Sequence, residues 1–192
     1  MNLLVYILVY PLIWFISILP FRVLYFISDI IYFIVYYILG YRKKVVLDNL
    51  KLVFPEKSNK ELIEISKKSF HHFIDIFIEM IKSFTISKKE IEKRYRYKNI
   101  ELINNLYSDK KSIILTGAHY ANWEWILSIT SFINHKGYAA YTKVNNSYFD
   151  NAILKSRGRF GVTLKQTSNI ITEINYNYKN NIPSIYGLLS DQ

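Results

Sequence analysis

The chain opens on a run of apolar positions that no charge interrupts, Asn2 to Pro20, NLLVYILVYPLIWFISILP. As a helix at 1.5 Å rise per residue this run is roughly 28 Å long, close to the ~30 Å hydrocarbon thickness of a bilayer. Pro11 predicts a kink of the kind membrane helices tolerate, and Trp14 and the tyrosines suit the interface. A second apolar run, Val23 to Leu39, is broken by Asp29 and followed by Arg42-Lys43-Lys44. Its acid and its basic ends favour a helix at the interface or packed on the domain over one that crosses. Next, Ser58-x-x-Glu61 after Pro55 is a capping box. Beyond it Phe70, Phe73, Ile74, Phe77, Ile81 and Phe84 recur at i+3 and i+4, one apolar helical stripe. Ser87 to Lys98 reads as a second, very basic helical stretch. From Ser112 the segments shorten. SIILT reads as a buried strand, about Asn122–His135 as a helix, Tyr138–Thr142 as a strand and Ser147–Arg159 as a helix. Phe160–Leu164 reads as a short strand, Ser168–Asn177 as a helix and Pro183–Leu189 as a strand. Strand and helix alternate, which predicts an α/β domain with a mainly parallel sheet.

Composition narrows the partners. A hydrophobic share of 51% excludes disorder as the main state. The absence of cysteine excludes disulfides, thiol catalysis and thiolate metal sites. The net charge is +10, yet residues 1–40 hold one basic residue, Arg22, and one acid, Asp29. A basic body behind an apolar leader predicts anionic partners: headgroups, phosphorylated substrates, an acidic carrier protein or nucleic acid. Tyr, Ile, Asn and Lys are all frequent, a bias that AT-rich codons produce, so the aromatic count is no evidence for base stacking. No nucleic-acid motif is present. Met1-Asn2 supplies no basic n-region and no A-x-A-like site follows, so a retained anchor is expected rather than a cleaved signal. Arg22 and Arg42–Lys44 place the following domain in the cytoplasm by the positive-inside rule. The expected organisation is a membrane anchor and interfacial helix over 1–40, a helical, basic, membrane-proximal region over 41–110, and an α/β core over 111–192.

Two places carry candidate chemistry. His72 and Glu79 lie two turns apart on the long helix, where a metal is conceivable. A solvated polar face is the better reading, because no H-E-x-x-H pattern appears, and no metal or cofactor is expected. The more informative place is Gly117-Ala-His119-Tyr-Ala-Asn122-Trp-Glu124-Trp, directly after a strand and opening a helix. That is the carboxyl edge of an α/β sheet, where ligands bind. A carboxylate beside an imidazole fixes its tautomer and stabilises the imidazolium, so the free nitrogen becomes a base near neutral pH. With no cysteine and no G-x-S-x-G elbow, such a pair suits activation of a substrate hydroxyl for attack on an activated acyl group. From spacing alone a structural histidine in a turn is the better bet. Lys143 and Asn145 fall on the same inferred edge.

The wider context changes that balance, because GAHYANWEW resembles the H-x4-D/E block of glycerolipid and lipid A acyltransferases. The segment Gly40 to Leu50 (GYRKKVVLDNL), followed by Phe54-Pro55, is similar to the R-x-x-V-x-x-N-L…F-P block of the lipid A secondary (lauroyl/myristoyl) acyltransferases. Asn151–Arg157–Arg159-Phe-Gly161 and Gly187-Leu-Leu-Ser-Asp191-Gln192 also look like blocks of that family. The resemblance implies a glycerolipid acyltransferase-like fold at the cytoplasmic face of the inner membrane. It implies transfer of a fatty acyl chain from acyl carrier protein, or coenzyme A, to a lipid acceptor. His119 would be the base and Glu124 its partner. Arg157 would face acceptor phosphate or the reacting carbonyl, with Arg159 a weaker candidate, and Asp191, Asn122 and Lys143 would be further substrate contacts. Guanidinium donors suit phosphorylated acceptors, and an acidic carrier suits the basic body. Glu124 in place of Asp favours the lipid A branch. Family members are typically about half as long again, so the α/β core is expected to be C-terminally truncated, its last strand left with an uncovered edge or face. The competing class is a non-catalytic membrane-surface protein that binds anionic lipid.

Overall fold

In a computed structural model the alternation after Ser112 forms a four-stranded, all-parallel sheet. Its strands are β1 (Ile113–Gly117), β2 (Lys136–Tyr141), β3 (Val162–Gln166) and β4 (Ser184–Leu189), in the order β1-β4-β2-β3. The structure describes residues 2–189. β4 pairs with β1 through Ile113↔Ile185 and with β2 through Gly137↔Ile185. The last strand therefore has no free edge: the crossover returns it to the gap between β1 and β2, and the sheet edges are β1 and β3. On the edge strand β1 the side chain of Ile114 is exposed, 60% accessible.

The chain divides into two units, residues 18–82 and residues 1–17 with 83–192. In the second of these, each sheet face has its own cluster, as the period-2 alternation of strand side chains requires. Ile129, Ile133 and Ile185 pack with Tyr97, Ile100, Ile103, Ile113 and Leu115 on one face. Tyr138, Ile170 and Tyr186 pack with Ala140, Ile174 and Leu188 on the other, the two tyrosine rings stacked at 5.5 Å. Helices α5 (Lys88–Arg94) and α6 (Ile100–Ser108) precede the sheet, and α7 (Ser147–Arg157) and α8 (Ile170–Lys179) cross between strands. α6 is not apparent from the sequence because it is a short amphipathic helix of about two and a half turns whose start, Asn99, lies at φ 57° with no side-chain cap. The same unit holds the leader helix, α1 (Asn2–Ile18). One side of α1 is tied down: Tyr6 meets Tyr148 and Phe149 at 5.5 and 5.2 Å, and Asn146 donates to the Asn2 carbonyl at 3.0 Å. Leu4, Leu8, Leu12 and Phe15 on its other side are exposed.

The unit of residues 18–82 is helical. α2 (Phe21–Phe33) runs on as a π-helical turn over Ile34–Ile38, followed by α3 (Lys43–Val53) and α4 (Asn59–Lys82). The capping box closes as expected: the Ser58 backbone N–H donates to Glu61 Oε2 at 2.9 Å, and the Glu61 N–H to Ser58 Oγ at 3.4 Å. The Ser58 hydroxyl beside it holds the Glu61 carboxyl below its ordinary range. α2 runs antiparallel on α4. Tyr25 donates to Glu79 at 2.7 Å, Ser28 to Asp75 at 2.6 Å, Asp29 meets His71 at 2.7 Å, and Tyr36 packs on Phe70 at 5.3 Å. These contacts account for Asp29, the single acid in the second apolar run. Glu79 thus receives a tyrosine hydroxyl, while His72 is exposed. By length and composition, Phe21–Ile38 is the stretch among the described residues that suffices to cross a membrane. α1, at 17 residues, is a shorter apolar helix.

Candidate active site

The H-x4-E segment is built from two tight turns. After β1 ends at Gly117, the Tyr120 N–H donates to the Ala118 carbonyl at 2.8 Å and the Trp123 N–H to that of Ala121 at 3.2 Å. Between them Ala121 sits at φ 52°, a left-handed conformation that costs a Cβ-bearing residue roughly 1–2 kcal/mol. The chain thereby reverses sharply enough for Trp123 to start a helix at the strand's carboxyl end. That helix, Trp123–Ser131, is 3₁₀ rather than α, and nine residues is long for this geometry. Asn122 caps it, its side chain accepting from the Trp125 N–H at 3.2 Å. Trp125 is buried and donates its indole N–H to Ser83 Oγ at 3.0 Å. The Tyr97 hydroxyl lies 3.0 and 3.1 Å from the carbonyls of Trp125 and Ile126 and 2.8 Å from Ser128 Oγ. Burial pushes that phenol well above its ordinary pKa, so it stays a neutral clamp on the helix.

Glu124, on the first turn of this helix, points its carboxylate at Arg157 near the end of α7. Arg157 Nε donates to Oε2 at 2.8 Å and its terminal Nη2 donates to Oε1, a two-point pair. The Glu124 side chain is 9% accessible and that of Arg157 29%. Two of the guanidinium's five N–H donors are engaged in this way. The His119 ring meets the Trp123 ring edge-on at 5.1 Å.

His119, Trp123, Glu124 and Arg157 all line one cavity of about 730 Å³ at the carboxyl ends of β1, β2 and β4. The rest of its wall is mostly hydrocarbon or backbone, including Leu115, Ile126, Ile153, Leu164, Gly187 and Leu188. The volume falls in the range of small-molecule sites, and the composition, apolar with a few convergent polar groups, is theirs too. The other residues singled out in the sequence lie elsewhere. Asn122 is buried as the helix cap. Lys143 is exposed on the loop after β2, where its neighbours Thr142 and Val144 line the cavity and it does not. Arg159 donates to the carbonyls of Ser83 and Phe84, at 3.2 and 2.7 Å. Asp191 lies outside the described residues. Trp123 was legible as part of the motif, whereas Ile153 and Thr167 reach the cavity by tertiary placement alone.

No curated protein matches the chain. The family model described as bacterial lipid A biosynthesis acyltransferase matches residues 2–192, nearly the whole length, in agreement with the motif blocks and the α/β architecture. The chain belongs to the bacterial lipid A biosynthesis acyltransferase family.

Proposed function

We propose that the protein is an O-acyltransferase that moves a fatty acyl chain from acyl carrier protein, or coenzyme A, to a hydroxyl of a lipid A precursor. It would act at the cytoplasmic face of the inner membrane. The observation that carries this reading is the placement of His119, Glu124 and Arg157 together in an otherwise apolar cavity at the sheet's carboxyl edge. The apolar wall suits an acyl chain, and the polar group suits the reacting ester and an anionic acceptor.

In the reaction an imidazole nitrogen of His119 takes the proton of the acceptor hydroxyl as its oxygen attacks the thioester carbonyl carbon. The tetrahedral intermediate collapses with loss of the C–S bond, and the imidazolium returns the proton to the departing thiolate. The products are an ester and a free thiol, and no water or redox partner enters the balance. Glu124 acts as the carboxylate partner that favours the imidazolium, and Arg157 fixes that carboxylate by two hydrogen bonds. The remaining guanidinium donors are available for phosphate or for charge developing on the carbonyl oxygen.

The test is transfer of labelled acyl chain from acyl carrier protein to a lipid A precursor by the full chain in lipid vesicles. His119→Ala is expected to lose roughly 10²–10⁴-fold in rate, the usual worth of a positioned general base. Retained transfer in that variant removes the proposal. Vesicle binding with no turnover in the unaltered chain favours the non-catalytic, lipid-binding reading instead.

A further inference from the structure

The stretch Phe21–Ile38 has the length and hydropathy of a membrane span, but its surroundings do not suit one. Its inner face is covered by α4 along nearly its whole length, from Tyr25 on Glu79 to Tyr36 on Phe70. Because the two helices are antiparallel, residues 25–36 lie beside residues 70–79 of α4. That stretch of α4 holds the carboxylates of Asp75 and Glu79 and the exposed His72. A crossing α2 would carry these charges into hydrocarbon, which is strongly unfavourable. Its outer face is different. Val23, Phe26, Ile30, Phe33, Ile34 and Ile38 form one exposed stripe at i+3 and i+4 steps, with Phe26 64% and Ile38 65% accessible.

Cations sit at both ends of that stripe. Arg22 is exposed at the start. At the far end Gly40 and Arg42 take left-handed backbone angles, φ 59° and 50°, and turn the chain into α3. There Lys43 Nζ lies 4.0 Å from the centre of the Tyr36 ring, with Arg42 and Lys44 exposed beside it. A crossing helix would divide these cations between the two sides of the bilayer. A helix lying flat presents all four to one layer of headgroups, with tyrosines at the level where aromatic rings favour the interface.

We propose that Phe21–Ile38 lies in the plane of an anionic bilayer surface and does not cross it. The outer stripe enters the acyl region, and Arg22, Arg42, Lys43 and Lys44 meet lipid phosphates. This placement does not depend on the acyl-transfer reading.

The cysteine-free chain makes single labels unambiguous. Val23→Cys, Ile30→Cys and Ile38→Cys, each on the exposed stripe, would carry an environment-sensitive fluorophore in the full chain. Vesicles of phosphatidylcholine with phosphatidylglycerol would hold nitroxide quenchers near the headgroup or near the chain end. The three sites are expected to share one shallow depth, quenched more by the shallow nitroxide, although a span along the helix axis separates Val23 from Ile38 by roughly 22 Å. Quenching of all three should fall several-fold when phosphatidylglycerol is omitted or salt is raised. Ile30 deep with Val23 and Ile38 shallow overturns the proposal in favour of a crossing helix. No quenching at any site overturns it in favour of a surface outside lipid. Equal shallow depth independent of anionic lipid overturns the role given to the cations. Because α1 is also apolar, vesicle binding alone is not the readout. Each variant's far-ultraviolet circular dichroism and melting curve confirm that the labelled chain is folded.

Discussion

Two histidines lie in quite different surroundings, one in each unit, and both were near carboxylates in the sequence. In the helical unit His71 has both ring nitrogens engaged, Nε2 at 2.7 Å from Asp29 and Nδ1 at 3.3 Å from Asp75, and its ring packs on Tyr32 at 5.0 Å. Its acids are themselves shared with Ser28 and the α2–α4 seam. Such a ring fastens two helices and has no nitrogen left for a substrate proton. In the α/β unit His119 is the middle residue of the first tight turn after a strand and lines a cavity, which Glu124, its carboxylate pinned by an arginine, lines as well. Proximity of His to Asp or Glu is thus a weak guide to chemistry. The opening of the ring into a cavity at the sheet's carboxyl edge is a stronger one.

The largest expected effect separates these two residues. His119→Ala should lower transfer by roughly 10²–10⁴-fold with little change in melting temperature. His71→Ala should keep transfer within about twofold and lower stability by about 1 kcal/mol through its lost hydrogen bonds. A reversal of that pattern, read from initial rates and melting curves on the same preparations, would break the comparison. Arg157→Lys comes next. Lysine cannot reproduce the two-point contact, so the largely buried Glu124 carboxylate keeps at most one donor. A loss of about 1–3 kcal/mol in stability is expected, with roughly 10–100-fold lower turnover. Unchanged turnover would mean that the pair is only a strut.

A smaller effect is expected at the helix starts. Asn122→Ala removes the cap that aims the 3₁₀ helix, and Ser58→Ala removes half of the capping box on α4. Each should cost about 1 kcal/mol. If the position of Glu124 matters to the reaction, Asn122→Ala should also lower turnover and Ser58→Ala should not. Equal turnover in both would detach the cap from the site.

Much of the core was legible because the physics is local. The capping box, the helix α4 and the strand–helix alternation each depend on neighbours in sequence, and each formed within a few residues of its expected place. The expected apolar stripe of α4 did not hold as one face: Phe70 is buried, but Phe73 and Phe77 are exposed, Phe84 lies past the helix end, and Ile76 and Ile78 are buried instead. The helix after the motif was legible as a helix but not as 3₁₀, since its geometry follows from Ala121 and from the Tyr97 clamp. α3 was not read as a helix: Val45, Leu52 and Val53 are exposed, so no buried stripe marks it. The order of strands was also out of reach, because the insertion of β4 between β1 and β2 is a matter of crossover and not of pattern. At the site His119 and Glu124 could be named from the resemblance of their block to a known family, and not from their spacing alone. That Arg157 grips Glu124 while Arg159, two residues on, turns to the carbonyls of Ser83 and Phe84 depends on how α7 ends and runs into a short 3₁₀ turn at Gly158–Phe160.

The smallest effect contrasts the Arg157–Glu124 pair with a second ion pair of the same unit. Lys165 on β3 donates to Glu173 on α8 at 2.8 Å, with side chains 35% and 19% accessible. The Lys165 contact holds the Glu173 carboxyl below its ordinary value of 4.5, and the same contact raises the Lys165 ammonium above 10.5. Each shift favours the charged form in the folded chain. The stabilisation from Glu173 is therefore present above pH 4.5 and lost as pH falls through its lowered pKa. That from Lys165 is present below pH 10.5 and lost as pH rises through its raised value. Solvent screening limits the pair to about 0–1 kcal/mol. Melting curves of Glu173→Gln against the unaltered chain should differ by at most a few degrees at neutral pH and converge in acid. Transfer should be unaffected, because neither residue lines the cavity. A difference that persists in acid would assign the effect of the substitution to the packing of the Glu173 side chain among its neutral polar neighbours, Tyr138 and Asn177, rather than to charge.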